Sequence, residues 1–217
     1  MRAKDCGELA TPAMEGPRRG GMTELLDRSK YLNDAQLTAF LRSIQERKRS
    51  TAARDRVLFL ILATAGMRPR ELANLIVEDV TLGSEPALRV RRLKARRELG
   101  RLDDIPVGLK LGRILRRWLK ERGPERGALF PSQKGGPLTV RGLERLFKRY
   151  AAAAGIEPDV TLYCLRHTAA RRMLEATGDL RTVQVMLGHA SIRTTEIYAH
   201  VSMERRRQAA ESVLAGL

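Results

Sequence analysis

Thr161-Leu162-Tyr163-Cys164-Leu165-Arg166-His167, followed further on by Gly188-His189-Ala190-Ser191-Ile192-Arg193-Thr194-Thr195-Glu196-Ile197-Tyr198-Ala199-His200, gathers the chain's proton-transfer chemistry in one region. All 3 histidines of the 217 residues (His167, His189 and His200) lie here, as do Tyr163 and Tyr198 out of 4 tyrosines. Tyr163, Arg166 and His167 are spaced to share one face of a helix. Thr161 is placed to cap that helix, which is predicted to end at Gly178. Arg166 sits among Leu162, Cys164 and Leu165, so it is expected to be partly buried and to need an anionic partner, either Glu71 or a substrate phosphate. Gly188-His189 reads as a helix end presenting an imidazole at a boundary. Taken singly, His189 is a turn residue and Tyr198 a packing residue.

The bulk numbers narrow the partner. A formal net charge of +16 and a pI near 10.9 favour a polyanion, nucleic acid before an anionic membrane. Hydrophobic residues are 43%, enough for a core, and aromatics are only 4%, so an aliphatic core is expected. No apolar run reaches the ~20 residues of a membrane span. The start of the chain lacks a signal-peptide pattern. Cys6 and Cys164 form neither a disulfide framework nor a metal-ligand spacing, which fits a reducing, cytoplasmic setting. No Gly-rich phosphate loop and no metal-ligand cluster is present, so no cofactor is expected.

Upstream, residues 1–29 read as a flexible basic tail rich in Gly, Pro and charge. The fold is expected to begin near Tyr31, with Asn33 or Asp34 capping a helix through Leu37, Phe40, Leu41 and Ile44. Arg54 to Ala65 is apolar on nearly all sides, as a buried helix would be. Gly66 stops it, and Pro69 opens a further helix through Leu75 and Ile76. Arg68 at this junction is a permanent phosphate binder that Glu71 can orient, although an exposed ion pair is the plainer reading. Ala87 to Leu93 alternates apolar and basic residues and reads as a strand, with Leu102 to Val107 as its antiparallel partner. Helices are expected from Leu109 to Arg122, from Thr139 through Tyr150, at 180–187, at 192–199 and from Ser202 to Leu214. Leu129 to Pro131 suits a short strand. The architecture is therefore mainly α with a small antiparallel β-sheet.

Order and spacing together resemble the catalytic domain of the tyrosine recombinases, the phage integrase family. Gly66 to Leu72 is similar to the family's first box, Thr161 to His167 to its second, and Leu187 to Tyr198 to its third. The resemblance covers roughly residues 30–217, and it implies the tyrosine recombinase catalytic-domain fold. It also implies a site-specific recombinase that cuts and rejoins double-stranded DNA through a covalent 3′-phosphotyrosine. Arg68 and Arg166 would then clamp the scissile phosphate, His189 would add a hydrogen bond, and Tyr198 would be the nucleophile. Lys94 would protonate the leaving 5′-oxygen, with Arg96 and Arg97 as alternative carriers in the same hairpin loop. His167 would support the site.

Tyr163 departs from the family pattern, which has a histidine there; a phenol suits positioning better than proton transfer. The N-terminal clamping domain of most members has no counterpart in this sequence, so the expectation is either an isolated catalytic domain or fragment, or a natural single-domain recombinase. Hairpin arginines Arg89, Arg91, Arg92, Arg96, Arg97 and Arg101 are expected to contact DNA. The resemblance implies a homo-oligomer, a tetramer on paired sites. The last helix would dock on a neighbouring protomer or pack on its own core. Two rival functions share the pattern: a DNA-binding regulator that does not cleave, and a type IB topoisomerase.

Overall fold

A computed structural model describes residues 31–46, 51–92 and 102–188. The order is α1 (Asp34–Glu46), α2 (Ala52–Ala65), α3 (Pro69–Ala73), β1 (Val80–Thr81), β2 (Ala87–Arg91), β3 (Leu102–Pro106), α4 (Gly108–Arg122), α5 (Val140–Ala153), α6 (Cys164–Thr177) and α7 (Leu180–Leu187). The structure is mainly helical with one small antiparallel sheet, as expected.

Helix α2 is the axis of the fold. Val57, Leu58, Phe59, Ile61, Leu62, Ala63 and Ala65 are all buried, so the helix needs apolar neighbours on every side. It finds them in α1, α4 and α6. The scarce aromatics are used at the centre. Phe40, Phe59, Phe147 and Tyr150 are fully buried, and Phe40 meets Phe59 edge-on at 5.1 Å and 84°. Trp118 stacks on Phe130 at 6.1 Å. The expectation of a purely aliphatic core is thus corrected: few rings are present, but they fill its middle, because each buries more area than any aliphatic side chain.

Polar atoms inside this core are paired. The fully buried Asp55 carboxylate accepts from Tyr150 Oη at 2.8 Å and from Arg54 Nε at 2.8 Å, and Arg54 also donates to the Pro131 carbonyl at 2.6 Å. This fixes α5 and the loop before it against α2. At the start of α1, Asn33 Oδ1 accepts from Gln36 N while Gln36 Oε1 accepts from Asn33 N, a reciprocal cap. Leu32 N donates to Thr168 Oγ1 at 2.8 Å and ties that entry to α6.

The sheet has the order β1-β2-β3, antiparallel throughout. Arg91 pairs with Leu102 and Ala87 with Pro106, so Pro106 closes the ladder at its end. Leu88 and Val90 face the core while Arg89 and Arg91 face outward, the period of two read from the sequence. β1 was not expected; two residues are too short to show a pattern.

Three boundaries differ from expectation. α3 stops at Ala73, and Ile76 instead bridges Ala128. Leu129 and Phe130 are buried but lie between two isolated bridges rather than in a strand. Helix α6 begins at Cys164 without a side-chain cap; Thr161 contributes only its carbonyl, to Cys164 N at 2.9 Å. Thr139, in contrast, does cap α5, accepting from Gly142 N at 3.1 Å. The expected helices at 192–199 and 202–214, and the 94–101 loop, lie outside the described residues.

Candidate active site

Three places in the fold meet where α2 ends, α7 ends and the β2–β3 hairpin begins. Gly66 ends α2 in the left-handed region, at φ 62°, and a Cβ there would stand 2.4 Å from Leu187 Cδ2. The left-handed backbone favours glycine here, and its missing side chain leaves room for Leu187 of α7. Arg68 then opens α3. Its backbone N–H donates to Glu71 Oε2 and its guanidinium to Glu71 Oε1, both at 2.9 Å. Glu71 therefore does orient Arg68, as expected. The carboxylate is wholly buried, while the Arg68 side chain keeps 28% of its surface exposed.

Arg166 projects from the first turn of α6 and is only 4% exposed. It donates to the carbonyl of Gly66 and, at 3.0 Å, to that of Leu187. Burial was expected; carbonyls as acceptors were not. A guanidinium with five donors suits them, because the last carbonyls of α2 and α7 lack helical partners. Tyr163 does not share Arg166's surroundings. It precedes the helix, is 49% exposed, and lines a shallow cavity with Pro69, Arg70, Thr139, Val140 and Arg141. Tyr163 immediately precedes α6 in helical conformation, its carbonyl accepting from Arg166 N at 3.0 Å and His167 N at 3.2 Å, so the spacing of 163, 166 and 167 holds while their burial differs. His167 is half-buried on α6.

Sequence reasoning misassigned Arg92. It was grouped with DNA-contacting hairpin arginines, yet its side chain is 9% exposed. Its Nε meets Asp103 Oδ2 at 3.0 Å, and its two terminal nitrogens reach Glu71 Oε2 at 3.5 Å and the carbonyls of Leu187 at 3.3 Å and Met186 at 2.7 Å. The available signal was its place in β2–β3: after outward Arg89 and Arg91, the next residue but one from Val90 turns inward. Arg89 is also engaged, with Asp104 at 3.1 Å, which raises its pKa through that hydrogen bond and the opposite charge. Arg91 is exposed. Lys94, Arg96, Arg97, Arg101, His189 and Tyr198 lie outside the described residues.

A continuous path of contacts results: Arg68, Glu71, Arg92, the Leu187 carbonyl, Arg166, the Gly66 carbonyl. It links the first box, the hairpin and the approach to the third box. The model of the phage integrase family matches residues 30–205. This chain belongs to the phage integrase family. Within that family, it is 38% identical over 161 residues to tyrosine recombinase XerC 2 of Ralstonia nicotianae, covering 71% of this chain and 44% of the relative. It is 35% identical over 159 residues to tyrosine recombinase XerC of Proteus mirabilis, covering 70% and 49%. The chain thus spans about half the length of these curated relatives. Among solved structures, the XerH site-specific recombinase bound to difH substrate aligns with a TM-score of 0.69 and 30% identity, over 83% of this chain and 53% of that one. The XerA recombinase aligns with a TM-score of 0.68 and 28% identity, over 84% and 62%. The integrase-family fold of this chain is the tyrosine recombinase catalytic-domain fold.

Proposed function

We propose that this chain is the catalytic part of a tyrosine site-specific recombinase, comprising residues 30–217, that cleaves and rejoins double-stranded DNA. The observation that carries this reading is the path joining Arg68 to Arg166. Its fixed points, Gly66, Arg92 and Leu187, each lie two residues before a residue with an expected chemical role: Arg68, Lys94 and His189.

A phosphodiester in in-line displacement accumulates charge on its non-bridging oxygens, and preorganised cations stabilise it. Arg68, oriented by Glu71 yet partly exposed, and Arg166 supply them. His189 adds a donor. The Tyr198 oxygen attacks phosphorus, the phenol proton leaves to solvent, and the bond to the 5′-oxygen breaks as Lys94 protonates that oxygen. The 3′-phosphotyrosine retains the phosphodiester's energy, so attack by a 5′-hydroxyl reseals the strand without a cofactor. Tyr163, beside Arg70 and Arg141, binds a phosphate oxygen rather than moving a proton.

DNA is held by more than this centre. Arg141, Arg145, Lys148 and Arg149 are exposed along α5, whose start adjoins Tyr163. Cleavage takes place in a tetramer on paired sites, in the cytoplasm; among the described residues no helix is long and apolar enough to cross a membrane.

The test is a nicked suicide DNA substrate read on a denaturing gel. The wild-type chain should form a covalent adduct and Tyr198→Phe none; an adduct in Tyr198→Phe defeats the nucleophile assignment. Tyr163 in place of histidine favours a second reading, a DNA-binding regulator that does not cleave. That reading requires the wild type to bind DNA without any adduct.

A further inference from the structure

We propose that Arg92 is a positioning residue. It holds the root of the β2–β3 hairpin, two residues before Lys94 in the sequence, to the C-terminal end of α7. This rests on the proposed function, since it assigns how that same centre is assembled.

Three segments converge on the one guanidinium, carried at the end of a fourth. β3 contributes Asp103, α3 contributes Glu71, α7 contributes the carbonyls of Met186 and Leu187, and β2 ends one residue before Arg92 itself. Such a set needs the planar fork of arginine, because a lysine ammonium is a single point charge. A cation is also favoured at a helix C-terminus, where the final carbonyls concentrate negative charge. The fit extends to the next residue. Gly188 has φ 66°, and a Cβ there would lie 2.7 Å from Arg92 Nε and 2.8 Å from Cζ. The backbone at Gly188 therefore runs against the Arg92 guanidinium, and its left-handed φ favours glycine.

Arg92 and Arg166 moreover share one acceptor, the Leu187 carbonyl, at 3.3 and 3.0 Å. Arg92 and Arg68 share another, Glu71. The arginine proposed to bind phosphate from α6 and the hairpin proposed to carry the acid are thus referenced to the same atoms. A buried arginine with only a packing role, such as Arg54 under α5, has no such connection.

The experiment replaces the 5′-bridging oxygen of the suicide substrate by sulfur. A thiolate leaves without a proton, so the sulfur substrate bypasses a missing or misplaced general acid. Lys94→Ala should be slower by roughly 100-fold or more on oxygen and recover on sulfur. Arg92→Gln should be slower on oxygen by roughly 100-fold, the scale of a small misplacement, and recover on sulfur with DNA affinity unchanged. If Lys94→Ala recovers while Arg92→Gln stays slow on both substrates, Arg92 does not act through Lys94 and this inference alone falls. Wild-type cleavage of the oxygen substrate by Arg92→Gln overturns it equally. Failure of Lys94→Ala to recover removes the general-acid assignment and this inference together. A wild-type chain that forms no adduct defeats the proposed function and this inference with it. Should Arg92→Gln not fold, Arg92→Lys decides: it keeps the charge without the fork and must show the same recovery on sulfur.

Discussion

Two sets of arginines in this chain carry the same charge and do opposite things. Arg92 and Arg166 are buried, and their donors end on carbonyls and carboxylates of the chain itself. Arg141, Arg145 and Arg149 lie one turn apart along the exposed face of α5, and none has a carboxylate partner among the described residues. The first set has lost its water and depends on fixed acceptors, so removing an acceptor costs stability. The second remains hydrated and costs the fold nothing, which leaves it available to a polyanion. The net charge of +16 is therefore a poor guide to which cations meet DNA; position on an element decides it.

The largest effect should come from Glu71, the buried carboxylate that Arg92 shares with Arg68. Glu71→Gln is nearly isosteric but leaves Arg68 and Arg92 facing an amide where a fully buried carboxylate stood. Unpairing a buried charge in this way should destabilise the chain by roughly 3–5 kcal/mol, read by urea denaturation. A loss no larger than that of a surface substitution would mean that Arg92 and Arg68 are not held by this carboxylate.

The exposed set should respond in the opposite manner. Arg145→Gln with Arg149→Gln should leave the urea midpoint unchanged and weaken DNA binding. The slope of log affinity against log salt should fall by roughly 1 for each lost phosphate contact. An unaltered slope would move the DNA surface away from α5. The cleavage rate of the bound complex should be unaffected, since neither residue belongs to the path between Arg68 and Arg166.

This division also marks what the sequence could disclose. Helix α2 was legible because its apolar residues surround it and glycine follows it. The hairpin was legible because β2 alternates with period two. Arg68 with Glu71 was legible because an i, i+3 pair at a helix start is a local pattern, complete within one turn. Arg92's inward side was implied by the same period of two, but its partners come from β3, α3 and α7, and no local period encodes a meeting of distant segments. Arg166 was half legible: apolar neighbours in sequence announced its burial, but the acceptors are backbone atoms, which every residue carries. The exposure of Tyr163 was not legible: the expected cap is Thr161, but α6 begins at Cys164 with Tyr163 as the exposed residue just before it.

Cys164, next to Tyr163, tests that boundary. Burial pushes its thiol up to about 12 from an ordinary 9.0. In a Cys6→Ser background, a thiol reagent at pH 8 should label Cys164 only on unfolding; prompt labelling would place it at the surface with Tyr163. The linkage has a definite sign. Folding favours the protonated thiol, so this contribution is complete below the unfolded value and is lost as pH rises from about 9 towards about 12. The stability difference between the Cys6→Ser protein and its Cys164→Ala derivative should shrink over that interval.

The smallest effect should belong to an ion pair that looks, on paper, like those of the buried set. Arg89 and Asp104 approach to 3.1 Å, as close as Arg92 and Asp103, but their side chains are 54% and 59% exposed. In water the attraction is screened, and ordering two mobile side chains offsets what remains. Arg89→Gln should leave the urea midpoint where it is, at low salt and at high. Arg92→Gln should lower it under both conditions, because burial excludes the screening ions. A double-mutant cycle on each pair completes the contrast: no coupling between 89 and 104, clear coupling between 92 and 103. Equal couplings would show that distance between charges, rather than exclusion of water, governs the arginines of this fold.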